Sequence, residues 1–182
     1  ADLVRISGFS HGTDVWLGNA RDYIKDGTAT MQNAISTRDD IMNYLILKGV
    51  PAIEAFTIME KVRKGKGETD EEAELMMKHD TPQWYVDSCR KIKYMFPRAH
   101  AVAYVTMAYR IAWFKVYYPW AFYAAHLTTK IDDFNWNVVK EGISGILSRI
   151  DELAAKGKNA TTKEEGEISV LEICYEMLAR GY

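Results

Sequence analysis

Apolar residues recur every three or four positions along most of this 182-residue chain, which is the pattern of helices with one buried face. Thr13 and Asp14 can cap a first helix that Gly27 would end, and Thr37 can cap a second that ends at Gly49. Prolines and glycines divide the rest into further predicted helices near residues 51–64, 71–78, 82–95, 98–118, 135–155 and 162–179, with Pro119 kinking the chain or starting another. No alternating strand pattern of useful length occurs. The sequence therefore predicts an all-α fold of about eight helices.

The most apolar stretch runs from Ala99 to Leu127. Two full charges, Arg110 and Lys115, interrupt it, and Pro119 breaks it, so it is a poor candidate for a membrane span. We therefore expect a long buried helix at the centre of the fold. Its large aromatic side chains are expected in the core: Trp113, Phe114, Trp120, Phe122 and Tyr123.

Composition and charge limit the classes of function that the chain can have. The chain is 48% hydrophobic and 26% charged, as folded proteins are, and its net charge of −2 gives no global attraction to nucleic acid. Any anion-binding surface must therefore be local.

Cys89 and Cys174 are far apart, which favours buried free thiols in a reducing cytoplasm, and neither they nor the four histidines have metal-ligand spacing. No signal peptide opens the chain, and its start at Ala1 suggests a piece of a larger protein.

The start of the long helix is the first candidate site. Arg98, His100 and Tyr104 project from its first turns, where the helix dipole and free N–H groups favour an anion. Together they could hold a phosphate and stack on a base or sugar. Ser10 and His11 lie in a polar, glycine-flanked segment, which can be interpreted as a ligand-binding loop or as an ordinary approach to a helix cap.

Basic residues form the second candidate. Arg63, Lys64 and Lys66 alternate with glycines after a predicted helix, and Lys91 and Lys93 lie shortly before Arg98. This loop is either a phosphate contact or a solvated helix end that the acidic residues 68–74 neutralise. Its glycine spacing is not that of a P-loop. No nucleophile with a paired base is visible, so we predict no catalytic residue.

Several strings resemble the C-family of bacterial replicative DNA polymerases, and most of all the PolC type of DNA polymerase III alpha subunit. They occur in the family's order and cover essentially the whole chain, at residues 3–8, 10–20, 38–42, 62–67, 84–115 and 176–182. The resemblance implies that residues 1–155 are a fingers subdomain. Residues 156–182 would be a linker and terminal helix leading toward a helix-hairpin-helix domain that binds duplex DNA outside this chain.

The resemblance also implies roles. A DNA-directed DNA polymerase would use this region to bind the incoming deoxynucleoside triphosphate and template–primer DNA, together with its palm, thumb and duplex-binding domains. The family's palm aspartates match nothing here, so magnesium would belong to the palm and the chain alone should not polymerise. Guanine-mimicking inhibitors are a further expected ligand. The expected nucleotide-binding residues are Ser10, His11, Arg38, Phe96, Arg98, His100 and Tyr104, and the expected DNA-binding residues are Arg63, Lys64, Lys66, Lys91 and Lys93.

Two other functions stay open on sequence grounds. One is a stand-alone helical module that binds DNA or acts as a scaffold without chemistry. The other is a helical enzyme that uses His100, although no partner base or nucleophile accompanies that residue.

Overall fold

The computed structural model describes residues 1–182, and its secondary-structure elements are all helices, which confirms the all-α prediction. It has eleven α-helices rather than about eight, because several connections contain short helices of their own. They are α1 Asp2–His11, α2 Arg21–Lys25, α3 Arg38–Leu47, α4 Ala52–Val62, α5 Asp70–Lys78, α6 Gln83–Lys91, α7 Arg98–Tyr117, α8 Pro119–Thr129, α9 Trp136–Val139, α10 Gly142–Ala154 and α11 Thr162–Ala179.

The chain forms two compact units, Ala1–Ala108 and Tyr109–Tyr182, whose boundary falls within α7. The connection between α10 and α11 is a short 3-10 turn, Gly157–Asn159, inside the second unit. The functional division at residues 155 and 156 stays a prediction.

The core of the first unit is built by α3, α4, α5 and α6. Each presents an apolar face, and together they bury side chains such as Ile41, Leu45, Ile58, Met76 and Val86 to less than 1% exposure. Capping boxes fix the starts of two of these helices, at Thr37 with Asp40 and at Thr69 with Glu72. The predicted start at Thr37 is therefore confirmed.

The prediction for the N-terminal region is wrong. Ser10 and His11, expected in a loop, lie at the end of a helix that spans residues 2–11, and the expected helix from Thr13 is a kinked segment followed by the short α2. Thr13 does not cap a helix because its backbone pairs with Tyr94, donating to that carbonyl at 2.9 Å. Asp14 and Gly18 adopt positive φ angles of 58° and 69°, which no α-helix accommodates.

The second unit has a smaller core between α10 and α11, around Ile146, Leu171 and Cys174. Arg149 donates to both carboxylate oxygens of Glu167 at 3.1 Å, which joins the two helices. The capping box at Thr161 begins α11 as predicted. Cys174 here and Cys89 in the first unit are buried free thiols, as expected.

The predicted burial of the long helix is wrong. Ala101 is the only buried residue of α7, and Trp113, Phe114 and Trp120 are 46%, 51% and 65% exposed. Phe122 is half-buried, and Tyr123 alone of the five expected aromatic side chains reaches a core. A helix that is apolar on every side needs neighbours on every side, and these 182 residues do not supply them. None of the helices combines the length and apolarity of a membrane span.

Candidate functional site

The segment 93–97, between α6 and α7, is fastened by three parts of the first unit. Lys93 donates its backbone N–H to Thr13 O at 3.1 Å, after the end of α1. Met95 N–H donates to Arg63 O at 3.1 Å, after the end of α4, and Phe96 O accepts from Arg38 N–H at 3.2 Å, at the start of α3. The segment is therefore rigid where it leads into α7, and it brings the predicted site residues of distant parts of the chain together.

Four rings gather at this junction. The Phe96 ring stacks on His100 with centroids 4.6 Å apart and an interplanar angle of 21°, and His100 lies 4.7 Å from Tyr104. His11, from the last turn of α1, lies 5.4 Å from His100 and 5.5 Å from Tyr104. We call these four side chains the ring cluster. His100 and Tyr104, four residues apart, lie on one face of α7, and Phe96, just before the helix begins, stacks on His100.

The ring of His11 is held from its own helix. Its Nδ1 lies 2.6 Å from Ser7 O and 3.1 Å from Ser10 Oγ. Ser10 therefore orients His11 as well as lying beside it. The ring cluster stays accessible, because His11 and Ser10 are exposed and Tyr104 is 52% exposed. Both residues were predicted as part of the site, although on a loop instead of a helix end.

Arg98 is occupied by acidic partners. Its backbone N–H donates to Asp39 at 2.6 Å, and its guanidinium donates to Asp40 at 2.6 Å. Asp40 also pairs with Arg5 at 3.6 Å and accepts from the Ser36 backbone at 3.0 Å. Burial opposes ionisation of Asp40, but the hydrogen bonds from the α3 cap and the charge of Arg5 outweigh it and lower the pKa of this carboxyl.

Arg38 pairs with a different carboxylate. Its Nη1 lies 3.7 Å from Glu60 Oε1 in the last turn of α4. The same carboxylate accepts from Arg63 Nη2 at 2.8 Å and from Lys64 Nζ at 3.1 Å. Arg38 was predicted to bind nucleotide, and Arg63 and Lys64 to bind DNA. The structure brings all three to one residue.

The remaining predicted basic residues are spread over the first unit. Lys66 lines a surface hollow of about 200 Å³ together with Glu60 and Lys64. Lys91 lies over the ring of Tyr23, 4.5 Å from its centroid, and donates to its hydroxyl at 3.1 Å. The side chain of Lys93 is exposed. The structure therefore brings three of the five predicted DNA-binding residues together.

The sequence analysis missed two organising residues, Asp40 and Glu60. Asp40 lies beside Asp39 in the first turn of α3, where an acidic residue is ordinary. Glu60 was not singled out, although it lies three and four residues before Arg63 and Lys64, a spacing at which opposite charges meet on a helix. That spacing could have identified it.

Residues 1–81 match the family model described as bacterial DNA polymerase III alpha subunit finger domain. This places α1 to α5, and with them Ser10, His11, Arg38 and Glu60, in a finger domain of that class.

Relatives extend the likeness over the whole chain, and each carries the name DNA polymerase III PolC-type. The protein of Caldanaerobacter subterraneus subsp. tengcongensis is 59% identical over 180 residues, which is 99% of this chain and 13% of the relative. The protein of Clostridium perfringens is 55% identical over 181 residues, which is 100% of this chain and 12% of the relative. The protein of Bacillus cereus is 54% identical over 182 residues, which is 100% of this chain and 13% of the relative. The chain belongs to the PolC-type DNA polymerase III family, as a fragment of its fingers, and spans about an eighth of these relatives' length.

Proposed function

We propose that this chain binds the incoming deoxynucleoside triphosphate and the template–primer DNA during replicative DNA synthesis, as the fingers of a PolC-type polymerase. The single observation that carries the proposal is the ring cluster of His11, Phe96, His100 and Tyr104 at the N-terminal end of α7. Nucleotides offer a flat base and a sugar to stack on, and exposed stacked rings provide the matching surface.

The charged groups around the ring cluster support the phosphate part of the proposal. Arg38 is tied through its backbone to Phe96, and Arg98 begins α7 itself. Guanidinium groups form bidentate hydrogen bonds with phosphate oxygens, and the dipole of a helix N-terminus attracts the same negative charge. In this arrangement the rings would hold the base and sugar while Arg38 and Arg98 hold phosphates, with Arg98 sharing its guanidinium between Asp40 and the ligand.

Magnesium is the metal that the family implies, and the residues of this chain do not fit it. No three or more His, Cys, Asp or Glu side chains converge as a metal site. The oxygen-rich first turn of α3 is already used, since Asp40 faces Arg5 and Arg98. We therefore assign no step of the reaction to a metal on this chain, and propose that the nucleotidyl transfer itself depends on other parts of the polymerase.

The same surface is the proposed site of guanine-mimicking inhibitors. Ser10 and His11 lie on one side of it and Phe96 on the other, with the His11 and Phe96 rings 6.2 Å apart and nearly perpendicular. A guanine-like ring could stack on one and meet the edge of the other. The serine hydroxyl would supply a hydrogen-bond partner.

Primer extension by a PolC-type polymerase carrying this segment tests the proposal. We expect Tyr104→Ala and His100→Ala to lower kcat/KM for the incoming nucleotide by about tenfold, the effect of losing one stacking contact. Tyr109→Ala is the matched control, because Tyr109 lies on the same helix, is 69% exposed and is not part of the ring cluster.

Unchanged kinetics in both cluster variants, with the control also unchanged, would remove the ring cluster from the nucleotide site. If nucleotide kinetics were unchanged but the chain bound DNA tightly without nucleotide, the stand-alone DNA-binding module would be the better description.

A further inference from the structure

One carboxylate in the first unit collects three cations. Glu60, in the last turn of α4, accepts from Arg63 through both carboxylate oxygens, pairs with Lys64 at 3.1 Å and lies 3.7 Å from Arg38 at the start of α3. The hydrogen bonds from Arg63 lower the pKa of Glu60 to about 2; desolvation opposes this shift, and the hydrogen bond from Lys64 and the charges of both residues add to it. Glu60 is therefore ionised throughout the physiological range.

The cations at Glu60 outnumber its single carboxylate, and the neighbouring acidic residues do not neutralise them because they pair with other basic residues. Glu68 and Asp70 face Arg90, and Glu72 faces Lys61. The three cations and one carboxylate at Glu60 keep two uncompensated positive charges at a surface where Lys64 is 50% and Arg38 33% exposed. An anion can approach both of these side chains from solvent.

Donors are left over as well as charge. A guanidinium has five N–H groups, and Arg63 uses Nε and Nη2 for Glu60. Its remaining N–H groups, those of Arg38 and two from Lys64 stay available. The adjoining hollow of about 200 Å³ is lined by Glu60 and by three lysines, Lys61, Lys64 and Lys66. Of the three cations at Glu60, Lys64 faces this hollow, which gives an anion a concave place to lie.

We propose that Glu60 is a positioning residue that holds Arg38, Arg63 and Lys64 together as one phosphate-binding site. The inference rests on the proposed function and deepens it, since it unites an arginine predicted for nucleotide with two cations predicted for DNA. Without Glu60, the long side chains of Lys64 and Arg63 would be free to turn away from each other, and phosphate would have to order them at its own cost.

The backbone links this site to the junction before α7. Arg38 N–H donates to Phe96 O, and Arg63 O accepts from Met95 N–H. Two of the three residues that Glu60 holds are therefore attached to neighbouring residues of the segment 93–97. A phosphate at Glu60 and a base at the ring cluster would belong to one substrate or to neighbouring ones.

Binding of inorganic tripolyphosphate to the 182-residue chain, measured by calorimetry, tests the positioning role without any base to stack. We expect Glu60→Gln to weaken binding at least about threefold, although the variant is one charge more positive. Glu72→Gln is the matched control. It makes the same charge change nearby and keeps the α5 capping box, since glutamine also serves there, so it should leave binding unchanged or tighten it.

Arg63→Lys provides a second route to the same answer. It keeps the positive charge but loses the two-pronged contact, so it should weaken binding, and its effect should not add to that of Glu60→Gln in the double variant. The Nε–Hε NMR signal of Arg63 should shift on binding in the unaltered chain. A short DNA duplex replaces tripolyphosphate in a parallel titration. Weakening for the duplex alone would assign the site to backbone phosphates, and weakening for tripolyphosphate assigns it to a triphosphate.

Three results would overturn the inference: tighter or equal binding of both probes by Glu60→Gln, additive effects in the double variant, or no binding of either probe by the unaltered chain. None of them would touch the ring cluster. A lower kcat/KM for the incoming nucleotide in Tyr104→Ala would still support the proposed function, so the two ideas fail separately.

Discussion

Replacing Asp40 should destabilise the first unit far more than replacing its neighbour Asp39. Asp40 has a 10% exposed carboxylate that pairs with Arg5 and Arg98 and accepts from the cap of α3. Loss of the cap costs about 1 kcal/mol. The exposed pair with Arg98 adds at most about 1 kcal/mol. Leaving the half-buried Arg5 without its carboxylate costs about 1 kcal/mol more. We expect Asp40→Ala to lower the free energy of unfolding by about 3 kcal/mol.

Two variants divide that figure. Asp40→Asn keeps a capping residue but loses the charge, so it should cost about 2 kcal/mol. Asp39→Asn removes the same charge from the same helical turn, but Asp39 accepts only the backbone N–H of Arg98, which an amide oxygen can still accept. It should cost no more than about 0.5 kcal/mol.

The measurement must isolate the first unit, because the chain has two. Native-state hydrogen exchange at the amides of residues 41–45, in the middle of α3, reports the free energy of opening that helix. Equal losses for Asp40→Ala and Asp39→Asn would refute the reasoning. They would show that the α3 cap and the two arginines contribute only surface electrostatics.

The same carboxyl gives the prediction a pH dependence. The pKa of Asp40 is lower in the folded chain than in the unfolded one, where it is about 4. Its contribution to stability is therefore complete above pH 4 and is lost as the pH falls through the folded pKa. As the pH falls from 5 through the folded pKa of Asp40, the free energy of unfolding of the unaltered chain should decrease more steeply than that of Asp40→Asn. Parallel loss in the two chains would contradict the assigned environment.

Two further predictions concern packing and polar contacts. Gly8→Ala should destabilise the first unit by about 1–3 kcal/mol, because a Cβ there would lie 2.7 Å from the Ser36 carbonyl oxygen. Gly166→Ala should be neutral or stabilising, because its Cβ meets only the movable carboxylate of Asp133. Thermal unfolding of the two variants measures both effects. Tyr123→Phe should cost about 1 kcal/mol in the second unit, because the hydroxyl joins Glu176 and Arg180, and a loss below the error of urea unfolding would count against that network.

The helices of the first unit could be predicted where local signals and tertiary structure agree. Thr37 was expected to begin a helix that Gly49 ends, and the structure has α3 at Arg38–Leu47. The prediction for the N-terminal region was wrong because Thr13, although its side chain suits a helix cap, pairs its backbone with that of Tyr94, 81 residues later in the chain. No local pattern contains that information.

The ring cluster was largely predictable, and the charged groups around it were not. His100 and Tyr104 share a helical face by spacing alone, Phe96 lies just before that helix, and polar residues next to a glycine indicated Ser10 and His11. Nothing in the sequence indicated that Arg98 would be held by Asp40, since the two residues are 58 positions apart. The expected burial of Trp113, Phe114 and Trp120 was wrong for a different reason. Apolarity predicts that a surface needs covering, not that 182 residues are enough to cover it.

The two missed carboxylates suggest how a chain with a net charge of −2 can present sites for phosphate. Acidic residues close to a basic segment were interpreted as neutralising it, and for Arg90 that is what Glu68 and Asp70 do. At Glu60 the proportion is reversed, because one carboxylate faces three cations. A single carboxylate shared among three cations attracts each of them and so offsets their mutual repulsion, yet it cancels only one of their charges. The number of cations that each carboxylate faces, and not the net charge of the segment, is therefore what separates a neutralised helix end from a candidate phosphate site.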